Sequence, residues 1–295
     1  MRPPRPRFTK EPIPKDIKIL FIDFDGTLKP AGGHVARPDI SAMRKLGRLG
    51  LIRVVATGRG LFSFQRDYPE DFELDYLLFS SGLGLCAWHD GPGPLLLAQR
   101  FTDEDRDRAL AACLELKRGF YAFEPPPECH RHIFQYPEGY PPTVGFLSRL
   151  RSYVQYSEAY RPKVDQGPRA EFLITAPTDE MPEVMARFEE LCPGLSLLRC
   201  SSPFGDNSMW LEIFPPGVNK GQAAQRLAET LSLTSESALA IGNDFNDQAL
   251  LAWAKIGMVT YNAPEELRNQ FRLLPPVTKK PLNYAFKLIN AARRY

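Results

Sequence analysis

The 295-residue chain lacks several features that would settle its class at once. No stretch approaches the roughly 18 consecutive apolar residues of a membrane-spanning helix, and the opening MRPPRPRFTKEPIPK has no apolar run of the kind a secretory signal needs. An excess of one charge is missing too. The 37 Lys and Arg stand against 35 Asp and Glu, so no global field draws nucleic acid or an anionic membrane. A cytoplasmic protein with neither of those partners is expected. The five cysteines, Cys86, Cys113, Cys129, Cys192 and Cys200, are odd in number and form no C-x-x-C pair, which argues for reduced thiols rather than a disulfide framework. There is no Gly-X-Y period, and the 28 prolines and 21 glycines together stay below the level at which composition implies disorder, roughly 25–30%. Proline, at about twice its ordinary usage, therefore marks loops and turns.

What is present reads as globular, with 43% hydrophobic and 24% charged residues. The length suits two domains or one large α/β domain. Residues 1–15 hold five prolines and five Arg or Lys without apolar periodicity, the pattern of a flexible tail. Order is expected from Ile17. The run IKILFIDF, residues 17–24, is nearly continuous apolar, as in a parallel strand buried on both faces, and ends at Asp25-Gly26-Thr27. Ile40, Met43, Leu46 and Leu49 then recur every three residues after Arg37-Pro38-Asp39, predicting a helix that Gly50 stops. Strands follow at 51–56, ending in Thr57-Gly58-Arg59, and at 76–79, ending in Ser80-Ser81-Gly82. Polar strand ends of this kind gather ligands in a doubly wound α/β sheet.

The texture changes at about residue 84. A hairpin around Asp90-Gly91 and a helix over 102–118 opened by Thr102 are expected. Residues 120–168, rich in Pro, Tyr and Arg, show no clear period. Strands at 170–174, 195–200 and 209–214 with a helix at 181–192 then form an α+β unit. After Pro215-Pro216-Gly217 the α/β rhythm returns: Asn219 caps a helix at 221–231, a strand at 238–241 ends in Gly242-Asn243-Asp244-Phe245-Asn246-Asp247, and a helix follows at 248–255.

Two carboxylates two apart at a buried strand end, Asp23 and Asp25, can bind a hard cation, and one of them can attack an electrophile. Thr57 with Gly58 offers a hydroxyl and a backbone N–H to phosphate oxygens. Lys220, at a helix start where its charge opposes the macrodipole, calls for an anion nearby. Asn243, Asp244 and Asp247 supply further oxygen donors for a cation, and Asn246 can cap the next helix.

In this order the four segments resemble the motifs of the haloacid dehalogenase superfamily: Asp23 to Leu28 for the first, Thr57-Gly58-Arg59 for the second, Lys220 for the third and Gly242 to Asp247 for the fourth. The long insert, with Asn262-Ala263-Pro264 and Pro276-Val277-Thr278 downstream, is similar to the Cof-like and sugar-phosphate phosphatase branch. The resemblance implies a Rossmann-like parallel-sheet core, residues 16–83 and 215–295, interrupted by an inserted cap at 84–214. It implies a Mg²⁺-dependent phosphatase acting on a small phosphomonoester such as a sugar phosphate. Asp23 would be the nucleophile forming an aspartyl-phosphate and Asp25 the general acid and base. Thr57, Gly58, Lys220 and Asn246 would hold the phosphate, and Asp23 and Asp25 would hold the metal with Asn243, Asp244 or Asp247. Two positions depart from the branch: Asn243 stands where Asp is usual, and Ser81 where Asn is common.

Two other readings compete, a phosphomutase of the phosphomannomutase type and a non-catalytic phosphosugar-binding protein. In the insert, Cys129-His130-Arg131-His132 is expected to be a surface loop rather than a metal site. His130, Arg131, His132, Arg161, Lys163 and Arg169 are candidate substrate contacts, and Phe146, Leu147, Leu150, Tyr153 and Val154 a stripe of cap core.

Overall fold

The computed structural model describes residues 7–69 and 71–293. Its first part runs β1 (Ile19–Ile22), α1 (Arg37–Arg48), β2 (Ile52–Ala56), α2 (Leu61–Asp67), β3 (Tyr76–Phe79), β4 (Gly84–Trp88) and β5 (Pro92–Ala98). The insert follows as α3 (Asp103–Glu115), β6 (Phe120–Phe123), β7 (His132–Gln135), α4 (Val144–Ser152), β8 (Ser157–Ala159), β9 (Glu171–Pro177), α5 (Met181–Leu191), β10 (Ser196–Ser201) and β11 (Ser208–Phe214). The chain then returns through α6 (Lys220–Thr230), β12 (Ala238–Gly242), α7 (Gln248–Trp253), β13 (Ile256–Thr260), α8 (Glu265–Gln270), β14 (Arg272–Leu274) and α9 (Pro281–Arg293).

Two sheets organise these elements. The first has the order β14-β13-β12-β1-β2-β3-β4-β5 and is parallel from β14 through β3. Its central strand is apolar at every position because both faces are covered. Leu20 and Ile22 pack with Met43 and Leu46 of α1 and Leu282 and Ile289 of α9, while Ile19 and Phe21 meet Ala224 and Leu227 of α6 and Leu250 of α7. The chain runs outward from β1 to β2 on one side and places β12 on the other, so a topological switch point lies at the carboxyl end of β1.

The second sheet, β10-β11-β9-β6-β7-β8, is the cap. One face is closed by α3 and α5, with Ala109, Cys113, Val184 and Phe188 against Phe120, Phe172 and Ile174. Against the other lies α4, whose Phe146 packs on Tyr121, Leu173 and Trp210. From the expected stripe, Leu147 and Leu150 also join this cluster, whereas Val154 is exposed.

Three expectations need correction. The hairpin at 84–98 was assigned to the cap, but β4 pairs antiparallel with β3 and extends the first sheet. Apolar Leu85 and Cys86 bury against the core, which a hairpin signal alone cannot reveal. The tail expected over 1–15 is docked over its described part: Ile13 is fully buried, its N–H donates to Leu288 O at 3.2 Å, and Thr9 N–H donates to Leu273 O at 2.9 Å. Residues 1–6 lie outside the described residues. Finally, 120–168 contains β6, β7 and β8, strands too short to show a period, and the helix α4. All five cysteines are buried and free. Among the described residues no helix is long and apolar enough to cross a membrane.

Candidate active site

The switch point assembles the segments singled out by sequence. Asp23 follows β1, Thr57 follows β2, Asn243 follows β12, and Lys220 opens α6. The approach of α6 depends on Gly82, at φ +111°, where a Cβ would stand 2.7 Å from the Asn219 carbonyl. Asn219 caps α6 as expected, its side chain accepting the Gln222 N–H at 2.9 Å.

Lys220 is wholly buried, and its Nζ donates to Asp23 Oδ1 at 2.8 Å and to Asp247 Oδ1 at 2.6 Å. Burial opposes its charge, but Asp23 and Asp247 together hold the ammonium well above the usual lysine range. Asp23 competes with a second carboxylate for that one cation. Burial and the nearby Asp247 push its carboxyl up to about 7, against the pull of Lys220. Asp247 is engaged at both oxygens, since Oδ2 accepts the N–H groups of Asn243 at 2.8 Å and Asp244 at 3.2 Å. Asp244 is engaged at both oxygens too, its Oδ2 accepting the N–H of Ser201 in the cap at 3.1 Å and its Oδ1 that of Phe245 at 2.8 Å. The turn before α7 is thus capped by Asp244 and Asp247, and Asn246, expected to cap it, does not.

Asn243 takes its orientation from its neighbours, all acceptors. Its amide nitrogen donates to the main-chain oxygen of Asp25 at 2.7 Å, to Asp23 Oδ2 at 3.0 Å and to Thr27 Oγ1 at 2.8 Å. An N–H donor thus sits between two oxygens of the kind that bind hard cations, and a half-turn of the amide would present its oxygen beside them. This is a donor set of one carboxylate, one carbonyl and one amide. Gly26, at φ +79°, leaves room for it, because a Cβ there would come within 2.5 Å of the Asn243 amide. Asn262 holds the same turn from outside, donating to Gly26 O and accepting the Val277 N–H, each at 2.9 Å.

Asp25 is bound by Arg59, whose Nε and Nη2 donate to its two oxygens at 2.5 and 2.7 Å. Arg59 also reaches Asp67 at 2.6 Å, and Lys29 lies 3.3 Å from Asp67. Burial works against the guanidinium charge, but Asp25 and Asp67 outweigh it and hold Arg59 above its usual range. Thr57 is buried and its Oγ1 accepts the Arg59 N–H at 3.1 Å. Gly58 faces Asn246, whose Nδ2 lies 3.4 Å from where a Cβ would be. In sequence Arg59 is part of the second motif and has no evident task; the fold gives it Asp25 as partner. The available signal was a cation at the end of β2, the neighbour in an α/β sheet of a strand ending in two carboxylates.

The cap residues nominated by sequence are not gathered here. His132 is buried between Tyr121 and Phe123, with Nε2 2.7 Å from Ser157 Oγ. His130 stacks on Phe62 of α2 at 4.6 Å between ring centroids. Cys129, expected on a surface loop, is buried, and a Cβ on Gly60 would stand 3.5 Å from its own Cβ. Arg131 and Arg161 bond to Glu128 and to Glu158 and Asp165 within the cap, Lys163 lies in its outer loop, and Arg169 is buried against Pro168. Among the described residues no three His, Cys, Asp or Glu side chains cluster as a metal site. Sequence reasoning missed Glu212, whose Oε2 accepts the Ser81 hydroxyl at 3.0 Å and so joins cap to core. A charge inside the apolar strand MWLEIF was its signal.

Comparison with known proteins agrees with this architecture. The profile of the haloacid dehalogenase-like hydrolases matches residues 20–279. The chain is 22% identical over 269 residues to an HMP-PP phosphatase of Cronobacter sakazakii, covering 88% of this chain and 90% of that protein. It is 25% identical over 261 residues to the putative phosphatase YxeH of Bacillus subtilis, covering 85% and 89%. Among solved structures it is similar to the phosphatase BT1666 of Bacteroides thetaiotaomicron, with a TM-score of 0.73 at 18% identity over 98% of this chain and 100% of that one. The sugar phosphatase BT4131, of subclass IIB, gives a TM-score of 0.71 at 16% identity over 92% and 98%. With the profile spanning nearly the whole described chain and the four segments converging at one switch point, the chain belongs to the haloacid dehalogenase-like hydrolases, as a phosphatase of their Cof-like branch.

Proposed function

We propose that the protein is a Mg²⁺-dependent phosphatase of a small phosphomonoester, a sugar phosphate or a compound of similar size, working through an aspartyl-phosphate. The observation that carries this reading is the pair of environments given to two neighbouring carboxyls. Asp23 has one oxygen fixed by Lys220 and the other free of any strong cation, whereas Asp25 is gripped at both oxygens by Arg59. Two carboxyls held so differently suit two tasks.

The Asp23 carboxylate attacks phosphorus, forming one P–O bond as the ester P–O bond breaks. Asp25 gives its proton to the departing alkoxide and then takes one from the water that hydrolyses the acyl phosphate, returning Asp23 as a carboxylate. Thr57, the Gly58 N–H, Asn246 and Lys220 would share the charge of the phosphoryl oxygens. Asp23, the main-chain oxygen of Asp25 and the Asn243 amide would hold the cation, which neutralises charge on the phosphoryl group when bound. Asp247 and Arg59 are positioning residues, one orienting Lys220 and the other Asp25.

A phosphomutase needs cations in its cap for a second phosphate. Here the cap turns the carboxyl of Glu212 to the Ser81 hydroxyl of the core, a negative group where a second phosphate needs a cation, which favours simple hydrolysis. The test is release of phosphate from p-nitrophenyl phosphate and a sugar-phosphate panel with Mg²⁺. A silent wild type, or full activity in Asp23→Asn, overturns the reading. Binding of phosphosugars without turnover would point to the non-catalytic alternative.

A further inference from the structure

Glu171 and Glu212 sit on the cap sheet where it meets the core. Leu173 of β9 stands opposite Glu212 of β11, so Glu171, two residues earlier, is the diagonal neighbour of Glu212 on the same face. Glu212 Oε2 accepts the Ser81 hydroxyl, and its Oε1 lies 3.9 Å from where a Cβ on Gly58 would be. Glu212 therefore looks onto the loop that follows β2, beside Asn246, with Glu171 next to it on the same sheet face.

Both side chains are nine-tenths buried, with exposures of 9% for Glu171 and 6% for Glu212. Among the described residues neither forms an ion pair, and the Glu171 carboxyl has no hydrogen-bond partner. Two cations are near enough to influence them, but neither forms an ion pair with them. Lys220 is held by Asp23 and Asp247. Arg149 is cradled by the rings of Phe123 at 4.6 Å, Tyr153 at 5.0 Å, Trp210 at 5.5 Å and Tyr121 at 5.7 Å, and its buried Nε has no partner. Burial pushes both glutamate carboxyls up, and for Glu171 the neighbouring Glu212 adds to the rise. A buried carboxyl pair without a paired counter-ion favours its neutral form, and a cation brought beside it would stabilise the charged form in place of the proton.

We propose that Glu171 and Glu212 form the leaving-group subsite and select phosphomonoesters whose leaving group bears an amine, the ammonium supplying the cation that the pair lacks. This rests on the phosphatase reading above. A neutral polyol would bring hydrogen bonds to the pair but no charge, and a second phosphate would be repelled. Ser81 takes part by fixing Glu212. Both Ser80 and Ser81 adopt left-handed backbone, at φ 47° and 52°, and the turn aims the Ser81 hydroxyl at the cap.

Matched substrates test the proposal. Wild-type kcat/KM is measured on glucosamine 6-phosphate against glucose 6-phosphate, and on phosphoethanolamine against glycerol 3-phosphate, with p-nitrophenyl phosphate as reference. The amine of at least one pair is expected to be preferred by about tenfold or more. In Glu171→Gln and Glu212→Gln, near-isosteric changes, that preference should fall to about threefold or less. N-acetylglucosamine 6-phosphate, which lacks the charge, should lose the wild-type advantage, a comparison that needs no variant. Turnover of p-nitrophenyl phosphate with no amine preference, or a preference that both variants keep, overturns this inference alone. Silence toward every ester, p-nitrophenyl phosphate included, overturns the phosphatase reading beneath it.

Discussion

Arg59 meets Asp25 fork to fork, with two parallel hydrogen bonds of 2.5 and 2.7 Å, and its remaining nitrogen is tied to Asp67 at 2.6 Å. Such a pairing fixes the plane of the carboxylate as well as its place. Lysine keeps the charge and loses the fork. Arg59→Lys is expected to lower kcat about 10–100-fold with a smaller change in KM, because proton transfer by Asp25 is more sensitive to its angle than substrate binding is. Steady-state kinetics on p-nitrophenyl phosphate decide it, and a pure KM effect would count against the role.

Lys220 serves two buried carboxylates with one ammonium. Lys220→Met leaves both without it, and the expected loss is about 3–5 kcal/mol of stability together with loss of turnover. Urea denaturation measures the first. An unchanged midpoint would count against Lys220 as the shared partner of the two groups.

Asn243 offers an amide where a carboxylate would bind a cation more tightly. Without Mg²⁺, Asn243→Asp should lower the melting temperature, since it replaces a donor facing Asp23 Oδ2 and Asp25 O with a third negative group. With Mg²⁺ the order should reverse, and apparent affinity should rise by about tenfold or more. Thermal melts across a Mg²⁺ titration read both effects. A variant equally stable with and without the ion would remove Asn243 from the donor set.

His132 packs between Tyr121 and Phe123 in the cap. Burial, and then the charge of Arg149, depress its imidazole to about 3. The folded protein thus keeps it neutral while the unfolded chain protonates near its ordinary value of about 6.5. Stability from this residue is complete above about pH 6.5 and declines as pH falls toward 3, by about 2 kcal/mol at pH 5. His132→Gln should flatten that part of the profile. Parallel acid dependence in wild type and variant would assign the loss to other groups.

The catalytic half of the fold was readable because its strands are long apolar runs ending in polar turns, which is what burial on both faces of a parallel sheet demands. Asp23, Lys220 and Asp247 announced themselves as charges that such burial must compensate. Three kinds of information were not legible. The membership of β4 and β5 depends on which sheet edge is free, and sequence spacing is silent on that. The strands β6, β7 and β8 owe their shape to neighbours rather than to their own pattern. The partners of Arg59, Glu171 and Glu212 lie far along the chain, so their roles emerge only when cap and core are brought together.

The central position of β1 has a consequence for how the molecule is made. Ile19 pairs with Ile52 on one side and with Ala238 on the other. On a ribosome adding about 5–20 residues per second, the second partner emerges on the order of 10–40 s after the first. Throughout that interval the four apolar residues of β1 present an open, fully hydrophobic edge, the kind of surface that pairs with other nascent chains. The insert, whose strands pair only with one another, can fold in the meantime. Production of this protein is therefore expected to be limited by protection of a half-built sheet, and holding chaperones should raise its yield more than they raise the stability of the finished enzyme.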